Sequence, residues 1–347
     1  SSHRRAAMTQ AFGGADAEGF WVWKDAYEAC EVAQLLFLRK FGPAIAARSG
    51  SAATTLSMLI KVANLLPTHT RRSEESQALQ QLSTPIPLGF VTAQAAAIST
   101  ADIVLEPSAG TGLLAIFSEV ARSSLVLNEF ADTRADLLEQ VFPGSSVTRH
   151  DAAHIDDYLD GAVQPSVILM NPPFSVSAHV EGKVTDAAWR HLSSAFARIR
   201  SGGRLVTITG ANLSPENPKW REAFVRLQEQ GQVVFTAAID GRVYAKHGTT
   251  AETRLTVVDK VPASNAHEFV VSPGKAQDVE TLLRWIEGLP LRSPGGFPDS
   301  IGALSQSNVR NVTAKRIERN SAGTPRPYAV RRAKPAPNAA RRTAPAP

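Results

Sequence analysis

The stretch 103-IVLEPSAGTGLLAIF-117 decides how this chain is read. Residues 103–105 are a short apolar run that suits a buried strand. Seven residues with two glycines then turn the chain, and a helical pattern begins near Leu113. Strand, tight glycine turn and helix is the unit that binds cofactors in α/β sheets. Glycine lets the backbone turn sharply and lets a ligand approach the main chain, and a helix start offers unpaired N–H groups. The turn lacks the GK[ST] ending that sets a lysine on phosphates. It also opens with Glu106, a carboxylate that would repel a pyrophosphate and would suit a ligand carrying a positive amino group.

Working outward, short apolar runs recur at 125–128, 147–149, 167–170, 205–209, 233–238 and 255–259. Helix-like segments separate most of them, at 113–122, 133–141 and 186–199. Short strands alternating with helices imply a mainly parallel sheet covered on both faces, an α/β fold. The last two runs have no helix between them and are expected to form an antiparallel edge pair. The second strand ends at Glu129, about 20 residues after the glycines, where an acid binds ribose hydroxyls in Rossmann-like folds. The third is followed by Asp151, in line to accept a hydrogen bond from an adenine amino group. His150 and His154 beside it are expected to be surface or packing residues. Together these acids suit S-adenosylmethionine, which has an amino group, a ribose and an adenine. Pro107, Ser108, Ala109, Gly110 and Gly112 are then the turn residues that line it.

The run 167–170 leads into Asn171, Pro172, Pro173 and Phe174. Two prolines fix the chain direction and remove two backbone donors. The carbonyl of Pro172 and the side-chain carbonyl of Asn171 become two acceptors, and Phe174 a flat apolar face. That is a clamp for a planar amine. Accepting both amino hydrogens localises the nitrogen lone pair, so the amine can attack a methyl group in line. Catalysis would rest on positioning and electrostatics. A base in duplex DNA would have to be flipped out to reach the clamp.

In order, EPSAGTG at 106–112, Glu129, Asp151 and NPPF at 171–174 resemble the motifs of class I amino-methyltransferases, above all those that methylate the exocyclic amino group of adenine in DNA. TPIPLGF at 84–90 looks like the extra cofactor-side motif of that family, which implies that Thr84 and Pro85 approach the methionine moiety and that Asn171 borders the cofactor. The resemblance covers about residues 80–260 and implies a seven-stranded, mostly parallel Rossmann-like sheet with an antiparallel last strand. A closer resemblance is to the methylase-like region that precedes the helicase part of bacterial strawberry-notch-like proteins, in THTRRSEES, TPIPLGF, RHDAAHIDDYL and YAKHGTTAETRLTVVDK. No helicase motif occurs in the chain, so this implies a helicase domain or partner in a longer protein. The chain departs from DNA methylases in lacking a sizeable target-recognition region after the last strand. NPPF also serves guanine amino groups in RNA, and a related motif serves glutamine in proteins. A non-catalytic cofactor- or DNA-binding module is the alternative of a different class.

Around this core the chain divides into a mobile start (1–19), a helical region (20–79), the cofactor domain (80–262), a peripheral helical extension (263–295) and a Pro/Ala-rich basic tail (296–347). Pro43 is expected to end or bend the first long helix, and a second spans 52–66. A last helix is expected over 276–289. From residue 310 onward there are ten Lys or Arg against one acid, Glu318, while the rest of the chain is slightly acidic. Such a tail either holds DNA electrostatically or is a solubilising linker. The loop 238–254 is either a charged hairpin or a substrate contact. In the second case Tyr244 would hold the flipped base, and Arg242, Lys246 and His247 would touch phosphate. His179 and Lys183, between NPPF and the next helix, are expected to be solvated. Cys30 is the only cysteine, so no disulfide framework or cysteine-rich metal site is expected. No run of about 18 apolar residues exists, and the simplest location is cytoplasmic.

Overall fold

The computed structural model describes residues 2–66, 68, 83–173 and 187–292. Phe174, His179, Lys183 and the basic tail at 296–347 lie outside the described residues, as does most of THTRRSEES. Seven strands stand where the apolar runs put them: β1 (Ile103–Glu106), β2 (Ser124–Asn128), β3 (Ser146–Thr148), β4 (Val167–Met170), β5 (Arg204–Gly210), β6 (Gln232–Ile239) and β7 (Thr253–Asp259). An eighth strand, β8 (Lys275–Ala276), runs parallel beside β6. The order is β3-β2-β1-β4-β5-β7-β6-β8. The first five strands pair in parallel, and β7 is antiparallel to both β5 and β6. The expected antiparallel pair therefore exists, but β7 is an inner strand and not an edge.

The sheet is two-faced because side chains alternate along each strand. Val104, Val167, Leu169, Val206 and Val257 point to one core. Leu105, Ile168, Met170, Leu205 and Val258 point to the other. The first face is covered by α2 (Trp23–Ser49), α3 (Ala52–Asn64), α4 (Ile86–Ala96), α5 (Ile116–Val120), α6 (Asp132–Val141) and α10 (Val279–Ile286). The second is covered by α7 (Ile155–Tyr158), α8 (Ala187–Arg198) and α9 (Pro218–Gln228). This is a Rossmann-like doubly wound sheet with N-terminal helices. Among the described residues no helix is long and apolar enough to cross a membrane.

Four expectations change. Residues 1–19 carry a helix, α1 (Ser2–Phe12), whose Met8 is buried with Trp21 and Ala26. Its composition explains this: Arg, Ala, Met and Gln are good helix formers, and no glycine occurs before Gly13. Helix α2 passes through Pro43 to Ser49, so of the two expectations for this proline, an end or a bend, the end does not hold. The proline is exposed, where water can take the hydrogen bond it removes. The extension after 262 is not peripheral, because Leu282, Leu283 and Ile286 of α10 belong to the same core as Val206. Finally, α5 begins at Ile116 and not at Leu113, since Gly112 sits at φ +88° and the turn runs on.

Polar staples hold the layers in register. Arg204 is 1% exposed and grips Asp259 through two bonds of 2.6 and 2.9 Å. It also donates to the carbonyls of Ala95 and Pro290, so one guanidinium joins β5, β7, α4 and the chain beyond α10. A buried cation needs this degree of pairing.

Candidate functional site

Neighbouring strands β1 and β4 send the chain in opposite directions, β1 toward β2 and β3, β4 toward β5. The crevice at their carboxyl ends is the switch point where doubly wound sheets bind ligands. The glycine turn leaves β1 there, and Asn171 leaves β4 there. Both motifs singled out in the sequence thus open on one crevice.

The turn is held from below. Ala109 N–H donates to the Asn128 carbonyl, and Gly112 N–H to the Ala109 carbonyl. Gly110 and Gly112 have φ of +56° and +88°, values that favour glycine. At Gly112 there is no room for a side chain either: a Cβ would lie 2.4 Å from the Phe142 ring. Asn128 ties three segments together. Its Nδ2 donates to the Pro107 and His150 carbonyls, and its Oδ1 accepts from His150 N–H and the Thr148 hydroxyl. The sequence reading had passed over this residue.

The acids occupy distinct environments. Glu106 is 2% exposed, and its Oε2 has no hydrogen-bond partner. Burial, with the Glu129 charge adding to it, pushes its pKa well above the carboxylate range. Glu129 accepts from Gly110 N–H at 2.8 Å and from Ala131 N–H at 2.9 Å, one bond on each oxygen. Asp151 is exposed at the end of β3 and accepts from Ala153 N–H.

Asn171 is fixed by its neighbours. Its Nδ2 donates to the Thr84 hydroxyl at 3.0 Å, and the Tyr244 hydroxyl meets both Asn171 and Thr84. Pro85 caps α4, which carries the rest of TPIPLGF into the core. Pro172 is buried and Pro173 half-buried.

Of the four residues expected in the 238–254 loop, Arg242 is exposed and pairs with Asp240 and Gln277, whereas Tyr244, Lys246 and His247 are held by the fold. Tyr244 is fully buried beneath Asn171 and presents no face to a base. Lys246 Nζ donates to the carbonyls of Asn64 and Leu66 and so caps the end of α3. His247 is 6% exposed. Burial, with Lys246 adding to it, pushes its pKa down to about 4. It is neutral at pH 7 and cannot serve as a cation for phosphate. The physical reason is common to all three: residues 241–247 form a short 3-10 turn that packs against the N-terminal helices.

Helix α2 enters the site, which the sequence reading did not anticipate. Glu31 is 2% exposed, and its Oε2 accepts from the Ser83 hydroxyl at 2.7 Å and the Thr111 hydroxyl at 2.8 Å. Its Oε1 lies 3.9 Å from His247 Nδ1. One turn earlier, Glu28 pairs with Arg134 at 2.8 Å. Arg134 Nη1 is 3.7 Å from where a Cβ on Gly110 would stand. Burial would lower the Arg134 pKa, but Glu28, Glu31 and Glu129 outweigh it and raise it. A signal existed: Glu31 shares the buried face of α2 with Tyr27, Gln34, Leu35 and Leu38, and an acid on such a face demands a partner.

No protein-family model matches the sequence, and no curated protein matches it. Among solved structures the chain is similar to a Pyrococcus horikoshii protein described as an RNA methyltransferase, at 18% identity and TM-score 0.45, covering 60% of this chain and 99% of that one. It is similar to a Listeria monocytogenes protein described as a class I S-adenosylmethionine-dependent methyltransferase, at 13% identity and TM-score 0.48, covering 68% and 78%. A third is the methyltransferase subunit of a type I restriction-modification system from Streptococcus thermophilus, at 12% identity and TM-score 0.43. That overlap covers 62% of this chain and half the length of the subunit.

Proposed function

We propose that this chain is an S-adenosylmethionine-dependent methyltransferase that modifies an exocyclic amino group, with adenine N6 in DNA as its acceptor. The observation that carries this is the 3.0 Å hydrogen bond from Asn171 to Thr84, at the crevice shared with the glycine turn. With Nδ2 committed as a donor, the amide's acceptor is Oδ1, the atom an amino hydrogen requires. Pro172 contributes a carbonyl and no N–H. Phe174, outside the described residues, is the expected stacking face.

The residues of the crevice fit the cofactor. The partnerless Oε2 of Glu106 answers a cationic amino group. Gly112, where a Cβ would clash, keeps the turn compact, and Gly110 brings main chain to the ligand. Glu129 spends one lone pair per oxygen on backbone N–H groups, and a carboxylate retains others for a ribose diol. Asp151 stands exposed for the adenine amine. When bound, the cofactor supplies an electrophilic sulfonium methyl. The chain's own part is to hold the amine in line, accept its hydrogens and keep its lone pair on the nitrogen. The resemblance to strawberry-notch-like proteins supports a helicase domain or partner that presents opened DNA.

Incubation with methyl-labelled cofactor and single- or double-stranded DNA, RNA or protein tests the reading. Label in DNA adenine is expected. Label only in RNA or protein would move the acceptor. Tight cofactor binding with no transfer to any acceptor would favour a binding module and overturn the enzymatic reading.

A further inference from the structure

Glu31 does something the motifs do not account for. A carboxylate is costly to bury, and this one lies on a helix more than 50 residues before the next cofactor-facing segment. Yet it is the common acceptor for Ser83 and Thr111. Ser83 is the neighbour of Thr84, which holds Asn171. Thr111 stands between Gly110 and Gly112. One oxygen of Glu31 therefore joins the acceptor clamp to the glycine turn. Glu28, three residues earlier on the same face of α2, pairs with Arg134 against the same turn. Helix α2 is a wall of the site.

We propose that Glu31 is a positioning residue that locks the glycine turn and the 83–85 segment into a single binding geometry for the cofactor. This rests on the reading above for the identity of the ligand. The locking itself is a property of the chain alone. Two hydroxyl hydrogen bonds to one carboxylate order two loops that would otherwise spend entropy on binding.

The test uses the full chain. Glu31→Gln keeps a carbonyl oxygen that accepts both hydroxyls, whereas Glu31→Ala removes it. Ser83→Ala with Thr111→Val removes the same bonds from the other side. Calorimetry with S-adenosylmethionine is expected to show at least a tenfold loss for Glu31→Ala, near-normal affinity for Glu31→Gln, and a loss for the double variant like that of Glu31→Ala. Combining Glu31→Ala with the double variant should cost little more, because the same bonds are lost. Hydrogen exchange at residues 109–112, read without ligand, should quicken in Glu31→Ala and not in Glu31→Gln. Unchanged exchange in Glu31→Ala, or additive losses of affinity, would overturn the proposal. If the wild type binds no cofactor while exchange still quickens, the ligand assignment fails and the lock stands. Should Glu31→Ala not fold, the double variant against Glu31→Gln makes the same comparison.

Discussion

At the scale of single residues, the site is built from charges held where they are costly. Glu106 is buried with one oxygen unpartnered, so its ionised form is disfavoured in the folded chain. Its folded pKa is raised above the unfolded value of about 4.3. The folded state therefore binds more protons than the unfolded state over that interval, and stability falls as pH rises through it. Below the unfolded pKa the group costs nothing. Replacing Glu106 with Gln should raise the melting temperature of the ligand-free protein at pH 7 by a few degrees. The gain should vanish below about pH 4, and cofactor affinity should drop at least about tenfold, some 1.4 kcal/mol. Thermal scans against pH, with calorimetry on the same samples, check this. A variant less stable than wild type at pH 7 would mean that Oε2, and not only the oxygen bonded by Ala115 N–H, has a partner within the chain. His247 makes the complementary point. Burial pushes its pKa down to about 4, although Glu31 Oε1 stands 3.9 Å from its Nδ1.

At the scale of elements, the strands and the crevice were legible and the supports were not. Residues 167–170 announce β4 because four consecutive apolar residues bounded by Pro165 and Pro172 suit a strand buried on both faces. Glu106, Glu129 and Asn171 were legible because strand ends in a doubly wound sheet converge on one crevice. Helix α4 was missed since all of residues 86–96 but Gln94 are buried and nearly all are apolar, which gives no helical stripe. The places of Lys246 and His247 were not legible because charge in a loop reads as exposure, and only tertiary packing brings Lys246 to the end of α3 and His247 beside Glu31. Asn128 was passed over because a strand-end asparagine has no local signature; its four bonds form only when the glycine turn and β3 arrive. Asn128→Ala would strand at least the Pro107 carbonyl and loosen the turn. A loss of about 2–3 kcal/mol in denaturant stability is expected, with weaker cofactor binding. A loss below about 0.5 kcal/mol would show that the turn is held by other means.

At the scale of the whole molecule, the two faces of the sheet divide the labour. One face carries α2, α3, α4 and α10, and through α2 it reaches the glycine turn at the crevice. The other carries α7, α8 and α9. Arg204 joins strands β5 and β7 to the helical layer and to residue 290. Removing it leaves the Asp259 carboxylate without its bidentate partner, so Arg204→Ala should destabilise the protein by about 3–5 kcal/mol in denaturant melts. The chain after α10 should then loosen, seen as faster proteolysis near residue 290. Intact protection there would contradict the staple. Asn171 is read as the acceptor clamp, and it borders the cofactor segment through Thr84. The most direct measurement is mass spectrometry of nucleosides digested from DNA treated with wild type or Asn171→Ala, with cofactor affinity measured on both proteins. N6-methyladenine is expected from wild type alone, with the two affinities within about threefold of each other. Equal methylation by both proteins, or loss of methylation that follows loss of cofactor binding, would contradict it.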